Sequence, residues 1–279
     1  MRVLVTGANG QLGYDVIKRL EQNNIESLGT DRSVLDITNQ LQVIKVINDY
    51  APDVVIHCAA YTAVDRAEDD RELCYAINVI GTRNVAQACK KMNAKMVYIS
   101  TDYVFDGEGK QPFKVTDKPN PINYYGKTKY EGELEVQNLI DKFFIVRISW
   151  VFGSNGNNFV KTMLRLGKER AEITVVSDQI GSPTYTYDLA KLIVEMIQSD
   201  KYGLYHATND GFCSWYEFAC EIFKQAELDV KVIPIKTDDY PTKAQRPKNS
   251  RLSKDSAYRM RGWKLSLKHF FRDIDIIGD

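Results

Sequence analysis

The sequence predicts an α/β protein: a doubly wound parallel sheet with a smaller α/β lobe attached. Short Val- and Ile-rich runs alternate with longer amphipathic stretches through the first 150 residues, the first run enters a glycine-rich turn, and the rhythm loosens after about residue 150. The runs at 3–6, 25–29, 54–58, 96–100 and 144–148 read as buried strands. A parallel sheet is covered by helices on both faces, so its strands are apolar on both. The stretches at 11–22, 40–50, 71–91 and 125–140 read as the helices between them. Ligands of such a sheet lie beyond the C-terminal ends of its strands.

Further along, 159–170 reads as a helix, 173–176 as a short strand, 186–198 as a helix and 215–225 as another. Residues 203–208 read as a return to the sheet, and Pro241 and Pro247 make 234–249 a loop. Residues 1–150 are therefore assigned to a dinucleotide-binding unit and 151–279 to a smaller substrate-binding lobe. The boundary is soft, with some later segments returning to the first unit.

Thirty-seven basic residues balance 37 acidic ones, so no basic excess points to nucleic acid. Cys58, Cys74, Cys89, Cys213 and Cys220 form no C-x-x-C pair and read as ordinary thiols of a reducing compartment. His57, His206 and His269 share no ligand-like spacing, so no metal site is expected. The opening Met1–Val5 run is too short for a signal segment, and no 18-residue apolar run occurs. A cytoplasmic protein without membrane partners is expected.

The first strand runs into Gly7-Ala8-Asn9-Gly10-Gln11-Leu12-Gly13, a G-x-x-G-x-x-G turn that opens a helix. Here the chain must turn tightly and let a pyrophosphate approach the backbone, which a Cβ would obstruct; the helix N-terminus then offers free N–H groups. Asp31, at the end of the second strand, is placed to accept the adenosine ribose hydroxyls. Its neighbour Arg32 could equally hold a 2′-phosphate, so NADPH and NADH both stay open. Asp36 and Ile37 would border the adenine, with a local turn an equal reading for Asp36. Ala59 and Ala60 follow the third strand and are small enough to let the cofactor cross, with Tyr61 next to them as a further cofactor contact.

Tyr125 and Lys129 are spaced i, i+4 and share a helix face. A free phenol titrates near pH 10. A nearby ammonium lowers that value and can also hold ribose hydroxyls, which makes the pair a proton donor beside a nicotinamide. Tyr124 lacks this partner, since Thr128 stands four residues on. Ser100 and Thr101 end the fourth strand, where Ser100 is placed against the cofactor and Thr101 can donate to a reacting carbonyl oxygen. Asp102 and Tyr103 follow, placed to meet substrate hydroxyls or to serve the fold.

These motifs occur as blocks: TGANGQLG, CAAYTAVDRAE, ISTDYVFDG, YYGKTKYEGE, RISWVFG, SDQIGSPTYTYDLA and QRPKNSRLS, in that order. With them the chain resembles the extended short-chain dehydrogenase/reductases, and within them the dTDP-4-dehydrorhamnose reductases. The resemblance implies a Rossmann sheet and NAD(P)H-dependent reduction of the 4-keto group of dTDP-6-deoxy-L-lyxo-4-hexulose. It carries Thr101, Tyr125 and Lys129 over as the catalytic set, and Asn78 as support near the cofactor. Thr62, Val64, Asp102, Tyr103 and Trp150 carry over as sugar contacts, with Gln179 and Arg246 of the later lobe, Arg246 as a partner for the diphosphate. Sugar-nucleotide 4,6-dehydratases of the superfamily carry Asp-Glu after the Thr, whereas Tyr103 follows Asp102 here. A non-catalytic nicotinamide-binding regulatory subunit, like that of methionine adenosyltransferase, and a sugar-nucleotide epimerase are the alternative readings. Monomer and homodimer are both compatible with the sequence.

Overall fold

A computed structural model describes residues 1–254 and 258–276. The chain runs through β1 (Arg2–Thr6), α1 (Gln11–Gln22), β2 (Glu26–Thr30), α2 (Gln40–Tyr50) and β3 (Val54–His57). It continues with α3 (Arg71–Tyr75), α4 (Thr82–Met92), β4 (Lys95–Thr101), α5 (Tyr124–Leu139) and β5 (Phe143–Ile148). The later half supplies β6 (Val151–Phe152), α6 (Phe159–Glu169), β7 (Glu172–Val176), β8 (Ile180–Gly181), β9 (Thr184–Tyr185) and α7 (Thr186–Ile197). Last come β10 (Gly203–His206), β11 (Cys213–Ser214), α8 (Trp215–Gln225), β12 (Lys231–Ile235) and α9 (Trp263–Asp273).

Six strands form one parallel sheet in the order β2-β1-β3-β4-β5-β10. The chain leaves β1 for β2 on one side and returns to β3 on the other. That reversal opens a crevice above the C-terminal ends of β1 and β3. The alternation along β1 explains how the sheet is covered. Val3 and Val5 pack with Val16 and Leu20 of α1 and Ile193 of α7, while Leu4 packs with Val43 and Ile47 of α2 and Val85 of α4. Each such buried aliphatic side chain stabilises the fold by about 1.5–3 kcal/mol.

A separate apolar cluster lies in the later half. Val160 and Leu164 of α6, Phe218 and Ile222 of α8, and Leu267 and Phe270 of α9 surround Phe152 and Ile173. Two elements of the later half, α7 and β10, return to the large sheet, where β10 pairs with β5 from Gly203↔Phe144 to His206↔Arg147.

The structure adds the short strands β6, β8, β9 and β11, which were not expected, and differs from the sequence reading at larger elements as well. The expected helix over 71–91 is α3 and α4 joined by a π-helical segment, Ala76–Gly81, which carries Asn78. Widened turns of this kind commonly mark functional positions. Residues 231–235 form β12 despite Pro234, because among the described residues β12 pairs with β7 alone and a proline is tolerated at such an edge. Helix α9 was not expected either, although Trp263, Ser266, Leu267, Phe270 and Phe271 form its buried face at helical spacing.

Candidate active site

A cleft of about 450 Å³ opens above the strand ends of the large sheet. Its floor is the glycine turn. Gly7 has φ +67°, and a Cβ there would stand 2.8 Å from Ala59 Cα. A Cβ at Gly13 would collide with the Gly7 carbonyl oxygen. Gly10 precedes α1 without any side-chain cap, so the first N–H groups of that helix keep their donor capacity for a ligand. The small residues and the uncapped helix end fit a dinucleotide pyrophosphate.

At the far wall, β4 delivers Ser100 and Thr101, and the 3₁₀ turn that follows brings Asp102 and Tyr103. Thr101 Oγ1 accepts from Tyr103 N–H at 3.2 Å and donates to Asp102 Oδ1 at 3.0 Å. Asp102 is 4% exposed, and burial pushes its carboxyl up to about 6. Helix α5 brings Tyr125 and Lys129 to the same cleft. Asn123 fixes the start of α5: its Oδ1 accepts from Gly126 N–H at 2.8 Å, and its Nδ2 donates to the Gln245 carbonyl at 2.9 Å. The ring of Tyr125 meets Tyr103 edge-on, with centroids 5.8 Å apart.

Lys129 departs from the expected arrangement. Its Nζ donates to the Ile99 carbonyl at 2.7 Å and lies 4.1 Å from the Tyr98 ring centroid. Burial brings the ammonium down to about 7, and burial likewise holds the Tyr125 phenol above its ordinary value. The expected lowering of the Tyr125 phenol by Lys129 does not prevail: burial, the largest influence, raises the phenol, and the Thr101 hydroxyl opposes it only in part. The phenol is a firmly protonated acid there.

Trp150 enters the cleft with φ +48°, a left-handed backbone rare for so large a residue. Its indole stacks on Trp215, with centroids 3.7 Å apart. Cys58, Ile99, Ile148, Ser149, Val151 and Trp215 also line the cleft and were not expected from the sequence. The first five lie at or just beyond strand ends, where the general rule for open α/β sheets would have found them. Trp215 carried no such signal, since only the fold brings the start of α8 here.

The model of the RmlD substrate binding domain family matches residues 1–276. The chain belongs to that family. The dTDP-4-dehydrorhamnose reductase of Aggregatibacter actinomycetemcomitans is 43% identical, over 96% of this chain and 97% of its own. The spore coat polysaccharide biosynthesis protein SpsK of Bacillus subtilis is 40% identical, over 98% and 97%. A crystal structure of dTDP-4-dehydrorhamnose reductase from Bacillus anthracis, in complex with NADP, superposes with a TM-score of 0.95 at 49% identity, covering 98% of this chain and 99% of that one.

In this RmlD-family chain the remaining residues expected at the site make the following contacts. Asn78 lies beneath the cleft, where Oδ1 accepts from Tyr61 N–H at 2.8 Å and Nδ2 donates to Thr128 Oγ1 at 3.0 Å. It ties the loop after β3 to α5. Asp36 closes a local turn, accepting from the backbone and hydroxyl of Thr38, and Ile37 is buried in the apolar core. Gln179 Nε2 donates to Thr237 Oγ1 at 3.2 Å, away from the cleft wall. Arg246 pairs with Asp65 at 2.5 Å beside the Tyr103 ring, so an internal carboxylate already holds the guanidinium expected to meet the diphosphate. Asp31 stands at the end of β2 as expected, accepting from Asn9 Nδ2 at 2.6 Å and from Ser33 N–H at 2.9 Å. Among the described residues no cluster of His, Cys, Asp and Glu could hold a metal ion, and no helix is long and apolar enough to cross a membrane.

Proposed function

We propose that this chain reduces the 4-keto group of dTDP-6-deoxy-L-lyxo-4-hexulose to give dTDP-L-rhamnose. The observation that carries this reading is one cleft holding the glycine cradle, the Thr101-Asp102-Tyr103 strand end and the Tyr125/Lys129 pair. Relatives named as dTDP-4-dehydrorhamnose reductases, similar over nearly their whole length, supply the substrate. The cofactor is NADPH or NADH. NADPH is favoured by Arg32 beside Asp31 and by the NADP complex of the Bacillus anthracis relative.

A bound nicotinamide supplies a hydride. The chain's own residues manage the charge and the proton. Tyr125, kept protonated by burial, gives its phenolic proton to the carbonyl oxygen as the carbon accepts the hydride; the C=O π bond breaks, and one C–H and one O–H bond form. Thr101 donates a hydrogen bond to the same oxygen once its hydroxyl turns away from Asp102 Oδ1, the acceptor it otherwise has. The phenolate left behind is stabilised by the Lys129 ammonium, one helical turn away on the same face. Thr62, Val64, Asp102, Tyr103 and Trp150 bound the side of the cleft left for the sugar. Asp102 is not followed by the second acid that the elimination of water requires, which favours reduction over dehydration. We place the enzyme in the cytoplasm, as monomer or homodimer; its five unpaired cysteines suit a reducing compartment.

The test is incubation with the keto sugar nucleotide and NADPH, followed by identification of the product by NMR. One NADPH oxidised per dTDP-L-rhamnose formed is expected. An epimerised keto sugar with NADPH unchanged would overturn the reading.

A further inference from the structure

One buried cluster of ionisable groups lies beneath the cleft and plays no part in the steps above. Glu133 and Arg147 have side chains 0% and 2% exposed. Arg147 donates twice, Nε to Oε1 at 2.8 Å and Nη2 to Oε2 at 2.6 Å. Ser100, on the cleft wall, donates to the same Oε1. Arg147 is the register partner of Ser100 on β5, and its guanidinium rests 5.0 Å from the Phe105 ring centroid. On α5, Glu133 follows Lys129 by one turn, as Lys129 follows Tyr125, so all three share a face.

Stability alone is a poor account of this pair. Taking two charges out of water costs several kcal/mol per ion, and apolar replacements of equal volume are often as stable. What distinguishes the pair is its neighbour. The Lys129 ammonium lies in the same dry layer, held by the carbonyl of Ile99, which adjoins Ser100 on β4. Around it stand Cys58 after β3, Cys74 of α3, His57 of β3, Tyr98 of β4 and Tyr125 of α5. Burial keeps both thiols and both phenols protonated, and holds His57 neutral by bringing it down to about 3. Of these groups, Glu133 alone offers Lys129 a carboxylate.

We propose that Glu133, steadied by Arg147 and Ser100, is a positioning residue that keeps Lys129 charged beneath the cleft. The proposal rests on the assignment of Tyr125 and Lys129 given above. Without the carboxylate, Lys129 releases its proton at lower pH, so the alkaline limb of the activity profile moves toward acid.

The experiment is the pH profile of kcat/KM for reduction of the keto sugar by NADPH, with NADPH affinity measured alongside. Glu133→Gln shifts the alkaline limb down by roughly one pH unit while NADPH affinity holds. The double variant Glu133→Gln/Arg147→Met shows the same shift and removes the lone buried guanidinium that could unfold the single one. Glu133→Asp keeps the ion pair but draws the charge back, giving a smaller shift of the same sign. A wild-type limb in the folded glutamine variants overturns the inference; if neither folds, an unmoved limb in Glu133→Asp does so. Lys129→Met separates the two levels: if it retains the wild-type limb, the limb does not belong to Lys129 and the underlying assignment fails instead.

Discussion

Asp102 shows how a single residue at this site trades stability for chemistry. Its ordinary value is 3.8, and burial raises it to about 6 in the folded chain. The folded state therefore holds the proton over a window in which the unfolded state has lost it. Stability falls as pH rises from about 4 to about 6, then stays level. Asp102→Asn is expected to stabilise the protein at pH 7 by on the order of 1–3 kcal/mol, with the gain gone near pH 4. Urea unfolding at the two pH values measures this, and an equal gain at both would contradict the assigned cause. That Tyr125, Lys129 and Thr101 would meet in one cleft was legible in the sequence, because i, i+4 geometry and a strand end are local properties. Arg246 was not. Its partner Asp65 lies far away in sequence, and only the fold shows that the two meet.

At the scale of elements, the glycine turn and the start of α1 act as one unit. A Cβ at Gly13 would collide with the Gly7 carbonyl oxygen, so any side chain forces the turn open. Gly13→Ala is expected to weaken NADPH binding at least tenfold and to cost about 1–3 kcal/mol of stability through overpacking. Fluorescence titration with NADPH checks the first, thermal unfolding the second; wild-type affinity would show that the turn does not carry the cofactor. Strands β1, β3, β4 and β5 were readable because parallel strands buried on both faces are near-continuous apolar runs, whereas β2 is a partly exposed edge strand. Helix α9 was equally periodic yet went unread, because its apolar residues face a small cluster instead of the main sheet. The π-helical segment at Ala76–Gly81 has no local signature. It depends on Asn78 reaching Tyr61 and Thr128 across two other elements.

The whole molecule joins two halves that the sequence separates only softly. Strand β10 and helix α7 come from the later half, yet they complete the edge and one face of the large sheet. Thr186 at the start of α7 donates to the buried Asp15 of α1. Trp215 then closes over Trp150, so the cleft is walled by both halves. The cofactor side was legible in the first hundred residues, while the sugar side depended on long-range packing and on the resemblance. The claim that binds these scales is that Tyr125 delivers the proton while the nicotinamide delivers the hydride. The most direct measurement is NADPH oxidation by Tyr125→Phe with the keto sugar nucleotide, beside NADPH affinity of the same protein. The account predicts a loss of about 10²–10⁴-fold in kcat with affinity unchanged; turnover at the wild-type rate would contradict it.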